Sequence, residues 1–504
     1  MHIMNILFLS VSFEEFVHKL STWVWNPGLV MICLLAGLFF SCMTRFVQVR
    51  YFGEMIRLLF SKNNQQKGIS SFQAFAMALS GKVGTGNIVG VATAIAFGGP
   101  GAIVWMWIAA FLGAGTAFAE ATLAQVYKED HNGQLRGGPA YYIEKGLKLK
   151  WLAVVFAIVA IIDFGFFGPP IQSNGIAMAF NDSLHLNTYI TGAVLAILLA
   201  LVVCGGVKRI AVVAEFVAPF MAIAYILLSI VVLCFHITDV PSAFMTMIRS
   251  AFGTHALFGG IVGSAISWGV KRGLYSNEAG QGTGATVAGA AEVSHPVKQG
   301  LVQCFSVYID TLLVCSATAI MILAAQCYNV IDPNTGQLIF TTHANVAEPG
   351  VTYTMAAIST VVEPHVANIF VSIALAFFAF TTTMAYYYYA ETNIVYLFGK
   401  GKTEKVAIWI LRIAIVCATF DGAVGAASTA WDLGDIGVGC LAWINVIVIL
   451  ILSPKVFKTL KNYERQYKEG KDPVFNSNEL NIKNADYWEK KDDKQESGND
   501  IKDL

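Results

Sequence analysis

The chain has 504 residues, of which 56% are hydrophobic and only 13% charged, with equal numbers of basic and acidic side chains. A soluble protein of average composition carries about 25% charged residues, so this composition is not that of an ordinary soluble domain. Zero net charge argues against a nucleic-acid partner, and the nine scattered cysteines form no CxxC or Cys/His cluster that would indicate a disulfide framework or a zinc site.

Long apolar runs predict an all-α polytopic membrane protein with about eleven transmembrane helices, since each run approaches the ~20 residues that a spanning helix needs. The predicted spans lie at about 24–45, 72–97, 101–127, 151–180, 189–206, 209–236, 257–290, 297–327, 365–397, 405–422 and 431–453. We expect residues 1–23 to be an external N-terminal segment, 24–453 the transmembrane domain and 454–504 a charged cytoplasmic tail. The tail is polar after Asn476, which predicts disorder.

Basic residues gather in alternate joints between the spans and so orient them. Arg45 and Arg50 follow the first span, and Lys128 and Arg136 follow the third, whereas the external joint "NDSLHLN" has neither Lys nor Arg. Because basic joints stay on the cytoplasmic side, the N-terminus is predicted outside and the C-terminus in the cytoplasm. The segment 136–147, "RGGPAYYIEKGL", predicts a short amphipathic helix on the cytoplasmic face.

Two of the predicted spans are interrupted in a similar way. The second contains "GKVGTGNIVG" at 81–90, and the seventh contains "LYSNEAGQGTG" at 274–284. Irregular backbone at membrane depth occurs only where it is buried in protein or lines a cavity. If one leading helix precedes two repeats of five, at about 72–236 and 257–453, the interruptions fall on the first helix of each repeat. Such paired interruptions indicate the binding site of a secondary transporter.

The composition of the interruptions suits a zwitterion and a small cation. Unwinding frees backbone N–H groups and exposes a helix N-terminus, both of which attract a carboxylate. Freed carbonyls, with Asn and Thr oxygens, suit sodium. Two other interpretations exist: Gly86 and Gly90 form a GxxxG typical of close helix packing, and "GTGNIVG" resembles a nucleotide loop. The second fails, because Val89 stands where the third glycine of G-x-G-x-x-G belongs.

Three segments resemble the alanine or glycine:cation symporter family of prokaryotes: "GKVGTGNIVGVATAIAFGGPGAIVWMW", "GVKRGLYSNEAGQGTGATVAGAAEVSHPVKQG" and "FAFTTTMAYYYYAETNIVYLFG". The resemblance extends from about Trp25 to Ser453. It implies a leucine-transporter-like 5+5 inverted repeat with one extra N-terminal helix. It also implies sodium-driven uptake of small neutral amino acids across the plasma (inner) membrane of a prokaryote. We expect a functional monomer with no cofactor, sodium as the coupling ion, and no transition metal.

The resemblance also implies a substrate site. Carried over by position, its residues are Gly84, Thr85, Gly86, Gln172, Tyr275, Asn277, Thr382 and Tyr386. Thr85 and the backbone amides beside it would meet the substrate carboxylate, and Gln172 would hydrogen-bond the substrate. Tyr275 and Tyr386 stand where the family usually has Phe and Trp, so the pocket could admit serine or glutamine beside alanine and glycine.

A sodium site is implied by the same comparison. Its residues are Val83, Asn87, Thr381, Thr382 and Thr383. The G-T-G-N sequence is similar to the G-x-G-N of the neurotransmitter:sodium symporters, in which the Asn is a sodium ligand, and this favours Asn87.

Several ionisable residues in the predicted spans have no assigned role. They are Lys82, Glu120, Asp163, Glu215, Arg272, Asp310 and Asp435. Such groups are costly in a membrane and are usually functional or paired. Lys82 and Arg272 flank the interruptions and could form gate-side ion pairs, and a titrating Lys82 is the basis of a proton-coupled alternative. A channel or sensor is a rival that would need acidic rings or re-entrant filters, and an enzyme would need a nucleophile or metal motif; we see neither in the sequence.

Overall fold

The computed structural model describes residues 2–61, 68–254, 258, 261–333, 335–342, 346, 348–425 and 427–496. Met1, residue 257 at the start of the seventh predicted span and residues 497–504 of the predicted tail lie outside this part of the chain. The described residues form helices and two short antiparallel hairpins.

The helices and strands follow one another in a simple order. The first are α1 (His2–Val24), α2 (Pro27–Met43), α3 (Val47–Arg50), α4 (Phe52–Leu59), α5 (Ser71–Lys82), α6 (Val91–Gly98) and α7 (Ala102–Val126). Next are β1 (Glu129–His131), β2 (Gln134–Arg136), α8 (Pro139–Leu147), α9 (Lys150–Ile162), α10 (Gly168–Leu184), α11 (Thr188–Val203), α12 (Gly206–Phe235) and α13 (Val240–Ala251).

The second half repeats this alternation of short and long helices. It contains α14 (Val262–Asn277), α15 (Thr283–Ala290), α16 (Pro296–Val307), α17 (Ser316–Ala324), β3 (Asn329–Ile331), β4 (Leu338–Thr341), α18 (Val351–Ser359), α19 (Pro364–Phe398), α20 (Lys402–Val424), α21 (Ala427–Lys468) and α22 (Asp486–Glu496). Helices are joined or preceded by π-helical turns at Gly86–Gly90, Asp163–Phe167 and Tyr308–Cys315.

Within the described residues, eight helical stretches are long and apolar enough to cross a membrane. They are Phe13–Met43, Ala102–Val126, Lys150–Leu184, Gly206–Phe235, Pro296–Ala324, Pro364–Phe398, Lys402–Val424 and Ser428–Lys468. A polytopic helical membrane protein is therefore confirmed. Large apolar side chains such as Phe216 and Phe220 of α12 are 78% and 63% exposed, as a lipid-facing surface requires.

The remaining three predicted spans coincide with shorter helices. The spans at 72–97 and 257–290 are divided into α5 with α6 and α14 with α15, so neither contains one long helix. The span at 189–206 is α11, whose 16 residues extend about 24 Å, less than the ~30 Å of a hydrocarbon core. The count of eleven spans and the 5+5 repeat remain predictions.

The N-terminal segment forms a helix that packs against α21. The ring nitrogen of His18 lies 3.0 Å from Asp432. Just after α1, the Trp25 indole donates to the Asp435 carbonyl at 2.7 Å. The prediction for residues 1–23 gave only an external location, and it did not anticipate this packed helix.

The prediction of disorder after Asn476 is wrong for the described part of the tail. Ile482, Ala485 and Trp488 are buried, although most of their neighbours are polar. The Trp488 indole donates to the Gln125 carbonyl at the end of α7 at 2.8 Å, and the Lys128 ammonium lies 4.8 Å from the centre of its ring. Burial at this contact lowers the pKa of Lys128.

The prediction of a short helix within 136–147 is confirmed by α8 (Pro139–Leu147), while its cytoplasmic location stays a prediction; α8 holds the same part of the tail. Lys145 of α8 forms an ion pair with Asp486 at 2.7 Å. The Asn484 side chain donates to the Lys145 carbonyl at 3.0 Å. A few anchoring side chains thus order a segment whose average composition is that of a disordered chain.

Candidate functional site

The first interruption separates α5 from α6 and is buried except for Val89, which is half-buried. Val83 leaves the helix with an extended conformation, φ −80° and ψ 93°. The Gly84 N–H donates to the Asn87 side-chain oxygen at 2.8 Å. The Thr85 N–H and hydroxyl both donate to the Gln172 side-chain oxygen at 3.1 Å. Freed backbone groups are therefore satisfied by neutral side-chain amides, as buried polar groups must be.

Glycine lets other helices come close to this interruption. A Cβ added at Gly84 would lie 2.5 Å from the Thr382 hydroxyl of α19 and 2.8 Å from the Gln172 oxygen of α10. A Cβ at Gly86 would lie 3.3 Å from the Tyr275 ring of α14. The structure thus brings together predicted substrate residues from the second, fourth, seventh and ninth spans.

The second interruption separates α14 from α15. Glu278 has φ +55°, and Gly280 and Gly282 have φ +86° and +87°. The Gly282 N–H donates to the Glu120 carboxylate of α7 at 3.1 Å. The Asn445 amide of α21 donates to the Gly280 carbonyl at 2.9 Å and to the Glu120 carboxylate at 2.8 Å. The predicted break is confirmed, and side chains of two long helices hold it.

Asp310 connects the two interruptions. It lies in the π-helical turn Tyr308–Cys315 before α17, and its carboxylate accepts from the Asn87 amide at 2.7 Å and from the Ser276 hydroxyl at 2.9 Å. The sequence marked Asp310 only as a buried charge and gave no reason to place it between these two residues. Its isolation in an apolar span was the available signal, as intramembrane acids are functional by default.

Aromatic rings form one wall beside the interruptions. The Tyr275 ring lies 5.1 Å from that of Trp431, and the Tyr386 ring lies 5.2 Å from that of Phe164. A Cβ at Gly168 would lie 2.6 Å from the Tyr386 ring. The two tyrosines that replace the family's usual Phe and Trp therefore lie in the same central region as the first interruption.

The resemblance assigns Asn277 to the substrate site through the backbone carbonyls of the unwound stretch that it begins, and this role stays a prediction. The Asn277 amide oxygen accepts from the Ala279 N–H at 3.0 Å. A Cβ at Gly113 of α7 would lie 3.9 Å from the same oxygen. The Asn277 side chain therefore faces α7 rather than Thr85.

The predicted sodium residues form a partial set of oxygen donors. The Thr382 hydroxyl lies 3.3 Å from the Val83 carbonyl and 2.9 Å from the Ser80 carbonyl. Thr381 and Thr383 donate to carbonyls of their own helix at 2.9 and 3.0 Å. Neutral hydroxyl and carbonyl oxygens are suitable ligands for a hard monovalent cation. Among the predicted sodium residues, Val83 and Thr382 therefore suit sodium best.

The buried basic residues differ in their partners. Lys271 and Arg272 pair with Asp435 at 2.6 and 3.2 Å, so the predicted ion pair of Arg272 is confirmed. Lys82 is 3% exposed and donates to the Ser306 hydroxyl at 2.6 Å. Among the described residues Lys82 has no ion pair within 4.0 Å, so the predicted pair is not formed, although Glu278, Asp310 and Glu120 interact with it electrostatically.

Comparison with known proteins places these features in context. Residues 10–477 match the family model described as the sodium:alanine symporter family. YrbD of Bacillus subtilis is 54% identical over 94% of this chain and 98% of its own length. A sodium/proton-dependent alanine carrier protein of Bacillus sp. PS3 is 47% identical over 86% of this chain and 97% of its own length. A manganese transporter from Eremococcus coleocola is similar in fold, with a TM-score of 0.50 and 12% identity over 78% of this chain and 87% of that one.

Proposed function

The chain belongs to the sodium:alanine symporter family, and we propose that it couples sodium entry to the uptake of alanine and glycine by alternating access. The carrier from Bacillus sp. PS3, which is named for sodium, protons and alanine, supports this cargo and this driving ion. The observation that carries the proposal is the meeting of two buried helix interruptions through Asn87, Asp310 and Ser276.

The substrate carboxylate would bind at the first interruption. Its backbone and hydroxyl donors at Thr85 are held by the neutral Gln172 amide, which a carboxylate can displace without leaving a charge unpaired. The α6 helix begins just beyond, so its N-terminal dipole favours an anion there. Gly84, Gly86 and Thr382 complete this side of the site, with Tyr275 and Tyr386 beside the substrate side chain.

Sodium would bind next to the same interruption. The Val83 carbonyl and the Thr382 hydroxyl, 3.3 Å apart, are the donors we propose first. Asn87 would join them by turning its amide oxygen away from the Gly84 N–H, to which it is bonded at 2.8 Å. Such an exchange would couple ion binding to the backbone that holds the substrate.

The arrangement in the membrane is part of this proposal. It consists of eleven spans, a 5+5 repeat after one leading helix, an external N-terminus and a cytoplasmic C-terminus, in the inner membrane of a prokaryote. The protein would act as a monomer and without a cofactor. Labelling from either side of the membrane, at single cysteines introduced at Asn187 of a predicted external joint and at Lys471 of the predicted cytoplasmic tail in a variant without the four exposed native cysteines, tests the orientation.

Uptake into proteoliposomes tests the function. Radiolabelled alanine and glycine should accumulate when an inward sodium gradient is imposed and should equilibrate only slowly without it. Serine and glutamine, offered in parallel, report whether the two tyrosine hydroxyls broaden the pocket. Flux that is independent of the sodium gradient would overturn the symporter proposal.

A further inference from the structure

Asp163 begins the π-helical turn Asp163–Phe167 between α9 and α10. Its side chain is 1% exposed, and neither carboxyl oxygen has a hydrogen-bond partner among the described residues. Buried polar groups are almost always hydrogen-bonded, so such an orphan needs an explanation. Single π-helical turns inside helices are also frequent at functional sites. Both facts make this carboxyl a candidate for binding something that the protein itself does not supply.

The helix that faces Asp163 provides no counter-charge. Its side chain lies directly on the backbone of Gly437 in α21, where any Cβ would overlap the carboxyl group. One turn further along α21, Cys440 is a neutral thiol that interacts with it electrostatically. The contact surface is therefore a CH₂ group and a thiol, and it offers no cation.

The charged groups that act on Asp163 are themselves acidic. Glu278 at the second interruption and Asp435 of α21 both interact with it electrostatically. The basic pair on α14, Lys271 and Arg272, binds Asp435 at 2.6 and 3.2 Å instead. An ionised Asp163 would thus add a negative charge to a buried region that already contains two carboxylates.

The elements on the other sides contribute neutral or occupied groups. Tyr275 of α14 and Tyr386 of α19 interact electrostatically with Asp163 through their hydroxyls. On α20, the Arg412 guanidinium donates to the Tyr387 hydroxyl at 3.0 Å. An isolated carboxylate at low dielectric is strongly unfavourable, and such a group is neutralised by taking up a proton.

We propose that Asp163 binds a proton that is transported together with the amino acid. The inference rests on the proposed symport function. Two relatives are named as sodium/proton-dependent alanine carriers, and what the inference adds is the residue that binds the proton. An Asp163 oxygen forms the O–H bond with a proton from external water while the site is open to the outside. The bond breaks when the site opens to the cytoplasm, where water solvates the restored carboxylate. One proton then moves inward with each alanine.

The position of Asp163 links its protonation to the substrate site. The neighbouring Phe164 ring lies 5.2 Å from the Tyr386 ring and 5.1 Å from the Tyr389 ring. Further along the same continuous helix, Gln172 holds Thr85. A shift of this helix when Asp163 gains or loses its charge therefore reaches both the aromatic wall and the first interruption.

The test uses the full-length protein in liposomes that contain the pH-sensitive dye pyranine. Potassium and valinomycin clamp the membrane potential, so that proton leak driven by a voltage is removed. With wild-type protein, an inward alanine gradient should acidify the lumen. With Asp163→Asn, a neutral isostere, acidification should fall to the rate of protein-free liposomes, while sodium-driven alanine uptake continues and no longer depends on external pH.

Asp182→Asn is the matched control, because Asp182 is an exposed carboxylate on α10 and should leave acidification unchanged. Undiminished acidification with Asp163→Asn overturns the inference. The inference also fails if alanine uptake by Asp163→Asn changes only in its dependence on sodium. If Asp163→Asn does not fold, Asp163→Ser, a smaller neutral residue, takes its place, and acidification by that variant at the wild-type rate overturns the inference. In the wild type, sodium-driven uptake without acidification also overturns the inference and leaves the symporter proposal intact. Absence of sodium-driven uptake overturns the symporter proposal itself.

Discussion

In the first interruption, Gly84 and Gly86 lie outside the left-handed region, whereas in the second Gly280 and Gly282 have φ of +86° and +87°. The first pair is glycine because other helices approach the backbone closely: a Cβ at Gly84 would lie 2.5 Å from the Thr382 hydroxyl. The second pair is glycine because side-chain-bearing residues rarely adopt such dihedrals. Glu278, which has a side chain, also has a positive φ of +55° and is strained there.

The side chains that hydrogen-bond the two interruptions also differ. The first is held by the side-chain amides of Asn87 and Gln172, which can exchange a backbone donor for a ligand. The second is held by the Glu120 carboxylate, which α7 directs at the Gly282 N–H, and by the Asn445 amide, which donates both to Glu120 and to the Gly280 carbonyl. The difference indicates that the first interruption binds and releases ligands, while the second has a fixed shape. Substitutions at each should therefore separate transport from stability.

Gly282→Ala should have the largest effect, on folding. The left-handed dihedral costs about 1–2 kcal/mol for a residue with a Cβ, and overlap with the Pro139 ring adds the ~1–3 kcal/mol of overpacking. We expect little folded protein after mild heating in detergent, as measured by fluorescence-detected size-exclusion chromatography. Gly470→Ala is the control, since it has φ +71° with open space around it and should lose only the dihedral term. Equal melting temperatures for the two variants would contradict the fixed shape of the second interruption.

Thr85→Val should damage transport and leave the fold intact. It removes a hydroxyl that lies 3.1 Å from the Gln172 oxygen, and the loss of a buried partner costs about 1–3 kcal/mol. The apparent KM for alanine should therefore rise about 10- to 100-fold, since each ~1.4 kcal/mol is a factor of ten. Thr419→Val is the matched control, because in the described part of the chain the Thr419 hydroxyl bonds only its own helix, at 2.7 Å. Unchanged uptake by Thr85→Val would remove the first interruption from the substrate site.

Gly84→Ala should also reduce transport, by a smaller factor. The added Cβ meets side-chain atoms of Thr382 and Gln172 and no backbone atom; Gln172 can move aside, while the Thr382 hydroxyl must change rotamer and lose its bonds to backbone carbonyls. We expect the apparent KM for alanine to rise about tenfold, equivalent to ~1.4 kcal/mol, with the melting temperature nearly unchanged. A large fall in melting temperature with normal transport would mean that the first interruption is structural, like the second.

The sequence predicted the interruptions but not what holds them. Glycine clusters inside apolar runs are local signals, and the resemblance placed Thr85 and Gln172 in one site, where the structure has them hydrogen-bonded. Glu120 could not be paired with Gly282 in advance, because the contact joins residues 162 positions apart and depends on how α7 packs. The gap between Asn87 and Asp310 is longer still, at 223 positions.

The tail shows a different limit of sequence patterns. Disorder was predicted from average composition, which counts polar residues and ignores where a few large side chains lie. Trp488 is fully buried, and its indole bonds the end of α7 at 2.8 Å. One aromatic side chain orders this polar segment by packing against the end of α7. The surface that binds it exists only once the helices have packed.

Gly90→Ala should have the smallest effect, and of the opposite sign. Gly90 has helical dihedrals, φ −63° and ψ −40°, and a Cβ there would meet only the Arg272 side chain at 3.9 Å. Replacing Gly by Ala at a helical position stabilises by up to about 1 kcal/mol, so the melting temperature should rise slightly with normal uptake. Gly86→Ala is the counterpart, since its Cβ would press on Tyr275 at 3.3 Å and should impair transport. If both variants lost stability equally, Gly86 and Gly90 would act together as a GxxxG packing motif, and the first interruption would owe its glycines to helix packing rather than to the approach of a ligand.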